Sequence, residues 1–514
     1  MQSAVPTTRS VRVDGMQQTT STPTHRATTR EWASLGVLTL AVVLLAIDGT
    51  VLALAVPALT ADLDPTATQV LWIGDVYSFA LAGLLVTMGN VADRIGRKRL
   101  LLVGSVAFGL ASAGAAFAQG PEVLIAARAL LGIAGATLMP STLSLVRAIF
   151  RDPRQRTRAI AVWSAGATGG AAAGPLVGGA LLEHFWWGSV FLINIPVIVV
   201  IVVAGAFLLP ESKGGARTPI DLLSAVLSVV AIVPLVYAVK HLVGHGADWT
   251  VPVAALVGVG AGWWFVRRQR SLATPLIDLQ LFRIPAFAGA VVANSLSVFA
   301  LTGLLFFFSQ YLQLVRGFSP LLAGAAELPA TVASIAVIAV IGLLTRHVGP
   351  GRSIGLGLAV AAVGMAGMAF AEGLPTYVGI AIALAVVGLG VGVSMTLATD
   401  AVVAAAPRDR AGAASAISET GYELGVAMGI AVLGSLQTAF YRANLDAGAP
   451  DRVRESLASA AQVLDPTSPV FAQAQHAFTG GMQLASVCAA VLLAVASVVA
   501  LRVIPNRQDG PREH

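Results

Sequence analysis

The sequence predicts an all-α integral membrane protein, and three observations support this fold class. Of the 514 residues, 56% are hydrophobic and only 11% are charged, a balance that excludes an ordinary soluble globular protein. Apolar segments of about 20 residues, long enough to cross a hydrocarbon core of roughly 30 Å, recur from Leu35 almost to the C-terminus. Because backbone groups that face lipid must be hydrogen-bonded within their own segment, we expect these segments to be helices.

Length and hydropathy divide the chain into fourteen predicted spans. They begin near Leu35, Val70, Leu100, Val123, Arg158, Gly188, Asp221, Val251, Ala286, Leu321, Ser353, Thr376, Ala411 and Gly480. The first thirty residues are rich in Ser, Thr and Arg and lack the apolar core of a signal peptide, so they are predicted to form a flexible cytoplasmic tail. The longest external loop, 441–479, is expected to hold a short interfacial helix.

The basic residues lie mainly in alternate loops, and this distribution predicts the orientation of the chain. With the N-terminus inside, the inner loops hold most of them, and the external loops hold only Lys240, Arg316, Arg442, Arg452 and Arg454. By the positive-inside rule, both termini are predicted to lie in the cytoplasm. The net charge of +6 therefore reports membrane topology, and nucleic-acid binding is not expected.

Two inner loops resemble each other, which predicts an internal repeat. GNVADRIGRKR follows the second span and GLLTRHVGPGR the tenth, so that Gly89 and Gly96 correspond to Gly342 and Gly349. Two six-helix bundles separated by two extra helices would place these loops in equivalent positions. The predicted divisions are a tail at 1–30, a bundle at 31–210, two additional helices at 211–270, a bundle at 271–504 and a tail at 505–514.

The first of these loops resembles the G-x-x-x-D-R-x-G-R-[KR] motif that joins the second and third helices in the major facilitator superfamily. Gly89 and Gly96 permit close approach and a tight turn. Asp93 can pair with an arginine or cap a helix in only one conformation. Together with Arg94 and Arg97 they form a candidate conformational gate. A basic stop-transfer loop would explain the arginines but not the glycines or the acid.

GATGGAAAGPLVGG in the fifth span carries glycines at four-residue spacing, which lets another helix approach closely. A proline in the same run removes a backbone donor and favours a kink. The run resembles the antiporter motif of major facilitator exporters, whereas ordinary helix packing through small residues is the alternative. The residues concerned are Gly166, Gly170, Gly174, Pro175, Gly178 and Gly179.

RALLGIAGAT places Arg128 inside the fourth span, followed by Gly132 and Gly135 near the same face. It resembles the R-x-x-x-G-x-x-G element of the superfamily, which is associated there with proton coupling. An arginine at this depth needs a nearby acid or backbone carbonyls, and Asp48 in the first span is the candidate partner. Ion pairing or protonation would offset the cost of burying Asp48. If Arg128 reached the membrane interface instead, the pair would not form.

Acids within the spans are functional candidates because charge in the hydrocarbon core is costly. Besides Asp48 they are Asp75 in the second span, Glu327 near the tenth, and Glu419 and Glu423 in the thirteenth. The last two are four residues apart on one helix face, so their repulsion favours protonation of at least one. Glu327 could instead lie near the external surface.

Aromatic side chains are candidates to line a cavity and supply cation–π contacts, although packing against lipid or other helices explains them equally well. They are Trp72, Trp163, Phe307 and Tyr422. The chain has no ATP-binding P-loop, HExxH motif or Cys/His zinc spacing, and Cys488 is expected to be a packing residue. Neither a metal nor a cofactor is expected, so energy must come from an ion gradient or a partner.

Taken together, the fourteen spans and these motifs resemble the fourteen-helix drug:proton antiporters of the QacA/LfrA type within the major facilitator superfamily. The resemblance implies a monomer in the bacterial cytoplasmic membrane. It would export lipophilic cations, such as quaternary ammonium antiseptics, dyes and fluoroquinolones, against inward protons by alternating access. It assigns cation recognition or proton coupling to Asp48, Asp75, Glu419 and Glu423. Ser334 stands where exporters selective for divalent cations can carry an acid, which argues against a strong divalent preference.

Three other functions fit parts of the sequence. A dedicated exporter of one natural product would carry the same motifs and differ only in its pocket. A transporter of an anionic or neutral metabolite would be expected to carry more basic residues in its cavity than Arg128 alone. A membrane enzyme or scaffold would need a polar catalytic constellation, which the sequence does not contain. Fold alone does not dictate the substrate.

Overall fold

The computed structural model describes residues 27–150, 152–213, 221–272, 275–406, 411–446 and 448–504. Most of the predicted N-terminal tail and all of the predicted tail 505–514 lie outside these ranges. In the described part, a short 3₁₀ helix, Leu281–Arg283, accompanies eighteen α-helices. These are α1 (Thr29–Leu63), α2 (Ala67–Ile95), α3 (Arg97–Ala116), α4 (Pro121–Ile149), α5 (Pro153–His184), α6 (Ser189–Leu192), α7 (Asn194–Leu208), α8 (Leu222–His245), α9 (Thr250–Ser271), α10 (Pro285–Leu314), α11 (Pro320–Ala326), α12 (Leu328–Val348), α13 (Pro350–Ala371), α14 (Tyr377–Ala405), α15 (Ala411–Ala443), α16 (Asp451–Glu455), α17 (Leu457–Val463) and α18 (Pro469–Val503).

Fourteen helical segments of the described chain are long and apolar enough to cross a membrane, as predicted. Two of these spans are broken helices, with α6 and α7 forming the sixth and α11 and α12 the tenth. The predicted start of the last span is wrong: α18 begins at Pro469, because Ser468 caps the helix by accepting from the backbone N–H of Phe471 at 3.2 Å. The external loop is therefore shorter than predicted, and it holds two short helices, α16 and α17.

Helix packing in the first bundle is repeated in the second. In the first, α1 packs on α5 and α7, α2 on α4, and α3 on α4 and α7. In the second, α10 packs on α15 and α18, α12 on α14, and α13 on α14 and α18. Contacts between the bundles follow the same symmetry, since α2 packs on α15, α5 on α11, and α1 on α10. This is the packing of two six-helix bundles with parallel topology, as the repeated loops predicted.

The two additional helices pack against the junction of the bundles. Helices α8 and α9 contact each other, and α8 also contacts α2 and α15. The hydroxyl of Ser228 on α8 donates to the carbonyl of Gly83 on α2 at 3.2 Å. Farther along, Val236 packs against Phe79 of α2 and Ala427 of α15. The inserted pair is thus attached to both bundles through α8.

The end of the bundle that contains α16 and α17 is closed by contacts between the two halves. We call it the outer end, and the opposite end the inner end, after the sides that the basic residues predict. Arg452 on α16 forms an ion pair with Asp64, which follows α1. Glu455 accepts a hydrogen bond from the backbone N–H of Ala67 at 3.0 Å, capping α2. The loop between α15 and α18 therefore connects the two bundles at the outer end.

The glycine-rich face of α5 packs directly against α1. A Cβ atom added at Gly170 would lie 2.8 Å from the carbonyl oxygen of Val43, closer than real Cβ contacts. The same crowding against α1 occurs at Gly166, Gly174 and Gly178. The neighbouring Gly169 faces open space, since no heavy atom lies within 4 Å of its added Cβ. Removal of side chains from one face therefore brings the two backbones together.

Closely spaced glycines also join α5 to the second bundle. An added Cβ at Gly179 would lie 2.7 Å from the Cα of Leu321, and one at Gly324 would lie 2.2 Å from the carbonyl oxygen of Pro175. Pro175 itself lies inside the continuous helix α5. The antiporter-like run therefore supplies two interfaces, one with α1 and one with α11.

Helix α15 has a glycine face of its own, which the sequence analysis did not identify. Added Cβ atoms at Gly425 and Gly429 would lie 2.5 and 2.3 Å from the carbonyl oxygens of Ser295 and Phe299 on α10. The contact of α15 with α10 is thus the counterpart of the contact of α5 with α1. The four-residue spacing of these glycines is present in the sequence, in the same segment as Glu419 and Glu423.

We predict that Gly170→Ala destabilises the protein by about 1–3 kcal/mol, because the new methyl group overpacks the contact with α1. Gly169→Ala is the matched control, since it lies one residue away on the open side of the same helix. That control should leave stability unchanged or slightly raised, because alanine is the better helix former. Thermal unfolding of the purified protein in detergent measures both. Equal melting temperatures for the two variants would contradict the packing argument.

Candidate functional site

Asp48 lies in the middle of α1 and is fully buried, at 1% exposure. Its Oδ2 is 3.1 Å from Nη1 of Arg128 on α4, and its Oδ1 accepts a hydrogen bond from the side-chain amide of Asn194 at 2.9 Å. The same amide nitrogen donates to the hydroxyl of Ser112 at 3.1 Å. The contact with Arg128 is the one that the sequence suggested. Asn194 was missed because it belongs to α7, far along the chain, and no motif marks it.

Arg128 is held by α2 as well as by Asp48. Its Nε donates to the carbonyl oxygen of Ile73 at 3.2 Å, and its guanidinium carbon lies 4.7 Å from the ring centroid of Tyr77. The side chain is only 2% exposed, so it does not reach the membrane interface. A Cβ added at Gly132 would lie 2.3 Å from the carbonyl oxygen of Tyr77. The glycines after Arg128 therefore allow α4 to approach α2, which brings the arginine to its acceptors.

Asp75 on α2 forms a second buried ion pair, with Lys240 of α8. The Nζ of Lys240 lies 2.5 Å from Oδ2 of Asp75, and neither side chain is exposed. The sequence-based assignment of Lys240 to an external loop is therefore wrong. The lysine and His241 lower the local hydropathy and ended the predicted span early, whereas α8 continues to His245. The acid on α2 supplies the counter-charge that keeps a lysine inside the bundle.

An indole ring completes the surroundings of this lysine. Nζ of Lys240 lies 3.9 Å from the ring centroid of Trp72, a distance typical of a cation–π contact. Trp72 precedes Asp75 by three residues, so both side chains lie on the same face of α2. The ammonium group is thus placed between a carboxylate and an aromatic ring.

Glu419 and Glu423 differ from the two aspartates because both are half-buried and neither has an ion-pair partner within the described chain. Gly421, Gly425 and Gly429 pack against α10. Glu419 and Glu423 are each two positions from Gly421, so their side chains point roughly 200° around the helix from it. The two glutamates therefore lie on the side of α15 turned away from α10. The side chain of Ser78 on α2 lies close to Glu423, and α2 packs on α15, which places this acid at the contact between the bundles. Tyr422 is half-buried beside them.

Two further carboxyl groups are buried near the outer end. Glu327, at the break between α11 and α12, is 5% exposed, and its Oε1 has no hydrogen-bond partner in the described structure. Glu327 therefore lies toward the outer end of the bundle, with its side chain buried. Glu372, which caps α13, is 2% exposed and accepts from the hydroxyl of Ser486 at 3.3 Å. Glu372 is not among the acids predicted from sequence, because it lies at the edge of a short external loop.

The aromatic candidates have different surroundings. Phe307 on α10 is 6% exposed and lines a small cavity together with Gln437 and Ser486. Trp163 on α5 is half-buried, and its indole N–H has no hydrogen-bond partner in the part of the chain that is described. Trp72 is the candidate whose ring contacts a cation in this structure, and that cation is the ammonium of Lys240.

The inner loop between α2 and α3 has its own ion pair. Oδ1 of Asp93 lies 2.9 Å from Nε and 2.8 Å from Nη2 of Arg97. The backbone N–H of Arg97 donates to the carbonyl of Ser212, in the segment that follows α7, at 2.9 Å. Arg94 is exposed. The loop is therefore anchored to the end of the sixth span by its backbone, and Asp93 pairs within the motif.

The two glycines of this motif have different requirements. Gly96 has φ of +117°, and an added Cβ would lie 2.5 Å from Oε1 of Glu211, so both a turn and a close approach require glycine there. Gly349, the repeated position, also has a positive φ of 88°. The close approach predicted at Gly89 is not observed, because an added Cβ there would meet only Pro140, at an ordinary 3.7 Å.

Chemically, the site combines two neutralised aspartates, one inside the first bundle and one between α2 and α8, with two half-buried glutamates on α15. The aspartates are paired with basic side chains, whereas the glutamates have no ion-pair partner in the described chain and are half-buried. Among the described residues, no group of three His, Cys, Asp or Glu side chains is suited to hold a metal ion. The arrangement therefore suits reversible binding of small positive charges.

Loss of one member of the Asp48–Arg128 pair leaves the other as an uncompensated buried charge. We predict that Asp48→Asn and Arg128→Met each lower the free energy of unfolding, Arg128→Met by about 3–5 kcal/mol. The exposed acid Glu122 on α4 gives the control Glu122→Gln, which should change it by no more than about 0.5 kcal/mol. Melting temperatures in detergent measure all three. If Arg128→Met lowered the melting temperature no more than Glu122→Gln does, the pairing would be refuted.

The model of the Major Facilitator Superfamily matches residues 38–430. The multidrug efflux pump LfrA of Mycolicibacterium smegmatis is 46% identical over 499 residues, covering 95% of this chain and 98% of the pump. The methyl viologen resistance protein SmvA of Salmonella typhimurium is 37% identical over 482 residues, covering 91% of this chain and 97% of that protein.

A solved structure has the same fold. It is a bacterial homologue of the human lysosomal transporter Spinster, crystallised in an inward-facing, unoccupied conformation. The TM-score is 0.68 at 16% sequence identity, and the match covers 93% of this chain and 98% of that chain. At this identity the likeness supports the fold alone.

Proposed function

Because the chain belongs to the major facilitator superfamily, we propose that it is a proton-coupled multidrug exporter of lipophilic cations that works by alternating access. It is a multi-pass transporter of the bacterial inner membrane and not an enzyme. No cofactor enters the proposal, and the proton gradient supplies the energy. Quaternary ammonium antiseptics, cationic dyes and fluoroquinolones are the proposed substrates.

The observation that carries this proposal is the position of Glu419 and Glu423. They lie one helical turn apart on α15, and both are half-buried without an ion-pair partner in the described chain. Glu423 lies beside Ser78 of α2, at the contact between the bundles. Acids in this position can hold a proton in one state and a cation in the other. Their mutual repulsion opposes ionisation of both until a positive charge arrives.

The pair formed by Asp48 and Arg128 provides a route for coupling. Protonation of Asp48 would weaken its attraction to Arg128, whose other contacts are on α2. Helix α2 also carries Ser78, the residue beside Glu423. A change in charge on α1 would therefore act on the helix that contacts the cation-binding acids. We propose that substrate leaves outside as protons reach these carboxyl groups.

The energetics depend on the proton-to-cation ratio. Moving one proton across a potential of 100 mV yields about 2.3 kcal/mol. Exchange of one proton for one monovalent cation moves no net charge and would be driven by the pH gradient alone. Exchange of two protons would add the contribution of the voltage.

The relatives support export of small molecules. LfrA is named as a multidrug efflux pump. SmvA is named for resistance to methyl viologen, which is a dication, so both monovalent and divalent cations belong among the compounds to test. Ser334 is not acidic, and for this reason we expect monovalent cations to be the better substrates.

Purified protein in liposomes with an imposed pH gradient tests the proposal. We predict that monovalent lipophilic cations cause proton movement, followed with an internal pH dye, and that Asp48→Asn abolishes it. Glu122→Gln should retain full flux. Proton movement unaffected by Asp48→Asn for every cation would refute the mechanism. If no cation moved protons through folded protein, a dedicated exporter of one natural product would replace the multidrug proposal.

Glu423→Gln should impair coupling or narrow the substrate range. The variant keeps a polar side chain beside Ser78 but can neither ionise nor attract a cation. We predict a loss of at least about tenfold in cation-dependent proton flux, since 1.4 kcal/mol of lost attraction corresponds to a factor of ten. The same liposome assay measures it. Unchanged flux for every cation in both Glu423→Gln and Glu419→Gln would remove these acids from the proposed site.

A further inference from the structure

The ammonium of Lys240 occupies a position that has the chemistry of an organic-cation site. It lies 2.5 Å from a carboxylate oxygen of Asp75 and 3.9 Å from the ring centroid of Trp72, and the acid and the lysine are completely buried. A carboxylate beside an indole face is the combination that recognises alkylammonium groups in proteins. Here the protein fills it with one of its own side chains.

Helix α8 reaches this position by following α2 along much of its length. Ser228 contacts Gly83, Val236 packs against Phe79, and Lys240 meets Asp75, so each step outward on α8 matches a step outward on α2. An added Cβ at Gly83 would lie 2.7 Å from a methyl carbon of Val229, which shows how close the two helices are. The pairing of lysine and acid is therefore part of an extended interface.

Stability alone is a weak explanation for this ion pair. A buried pair can often be replaced by apolar residues of similar volume without loss of stability, because desolvation of two charges cancels much of their attraction. The pair also lies between a helix of the first bundle and one of the two additional helices. Val236 of α8 also packs against Ala427 of α15, and Ala427 lies one helical turn from Glu423. Its position links the extra helices to the proposed cation pathway.

We propose that Lys240 is an intramolecular competitor for exported cations. Its ammonium occupies a subsite formed by Asp75 and Trp72, and an organic ammonium substrate enters that subsite by displacing it. The inference rests on the proposed function as a cation exporter and adds a subsite and a residue that sets affinity. Substrate can bind only to the fraction of protein molecules in which Lys240 has left the subsite. Competition therefore lowers the apparent affinity in proportion to that fraction.

The displaced lysine has a short route to water. Lys240 lies five residues before the outer end of α8 at His245, a rise of roughly 8 Å at 1.5 Å per residue. A lysine side chain this near a helix end can extend its ammonium to the membrane interface. Exchange of the two cations therefore leaves no ammonium stranded in the hydrocarbon core.

Binding of ethidium, a monovalent aromatic cation, to the purified full-length protein tests the competition through its fluorescence anisotropy. We expect Lys240→Met to lower the Kd about tenfold, within the range of coupling between sites. Lys240→Arg keeps the cation and should stay near the wild type, as should Lys213→Met, which removes an exposed lysine. The gain should vanish in Lys240→Met combined with Asp75→Asn or with Trp72→Leu.

Folded Lys240→Met protein that binds ethidium no more tightly than the wild type would overturn the proposal. Binding by Lys240→Met but not by the wild type would support it. If neither protein bound any lipophilic cation, the subsite would fall together with cation export. Cation-dependent proton flux in liposomes with unchanged affinity in Lys240→Met would reject the competition and leave the proposed function intact.

A second measurement uses the wild-type protein and does not depend on a variant that folds. The chain has three lysines, so acylation by an amine-reactive reagent can be assigned by peptide mass spectrometry. We expect saturating ethidium to increase labelling of Lys240 severalfold and to leave Lys98 and Lys213 unchanged. Labelling of Lys240 that stays low with ethidium bound would overturn the displacement.

Discussion

Compensation of buried charge is the constraint on which the rest of this structure depends. Within hydrocarbon a lone charged side chain costs several kcal/mol, so each one must find a partner or lose its charge. Asp48 is matched by Arg128, and Asp75 is matched by Lys240. Each pair joins two different helices, and the helices must therefore be held at the separation that the pair requires.

Small residues make those separations possible. Glycines on α5 bring α1 close, glycines on α15 do the same for α10, and Gly132 lets α4 approach α2. Because α1 carries Asp48 and α4 carries Arg128, close packing of backbones and pairing of charges support each other. The repeat explains why the same solution appears in both bundles, since equivalent helices meet in equivalent ways.

The acids of the molecule fall into two groups with different physical roles. Asp48 and Asp75 are each paired with a basic side chain from another helix, so a change in their charge alters contacts between helices. Glu419 and Glu423 are half-buried and lack ion-pair partners in the described chain, so a change in their charge alters what the space between the bundles can hold.

Sequence alone determined the membrane class, the fourteen spans and the repeat, and it located four of the acids to which we assign a role in the proposed transport. These predictions depend on local properties of the chain. Hydropathy reports how readily a segment enters lipid, the spacing of glycines shows that they share one face of a helix, and a motif is a short run of residues. Only the tertiary structure decided the partners. Hydropathy predicts that Lys240 lies in a loop. In the structure it is buried against Asp75, which lies 165 positions earlier in the chain. Asn194, Glu372 and the α10–α15 contact depend in the same way on neighbours distant in sequence. Pairing of charges is a property of helices brought together, and one helix at a time cannot reveal it.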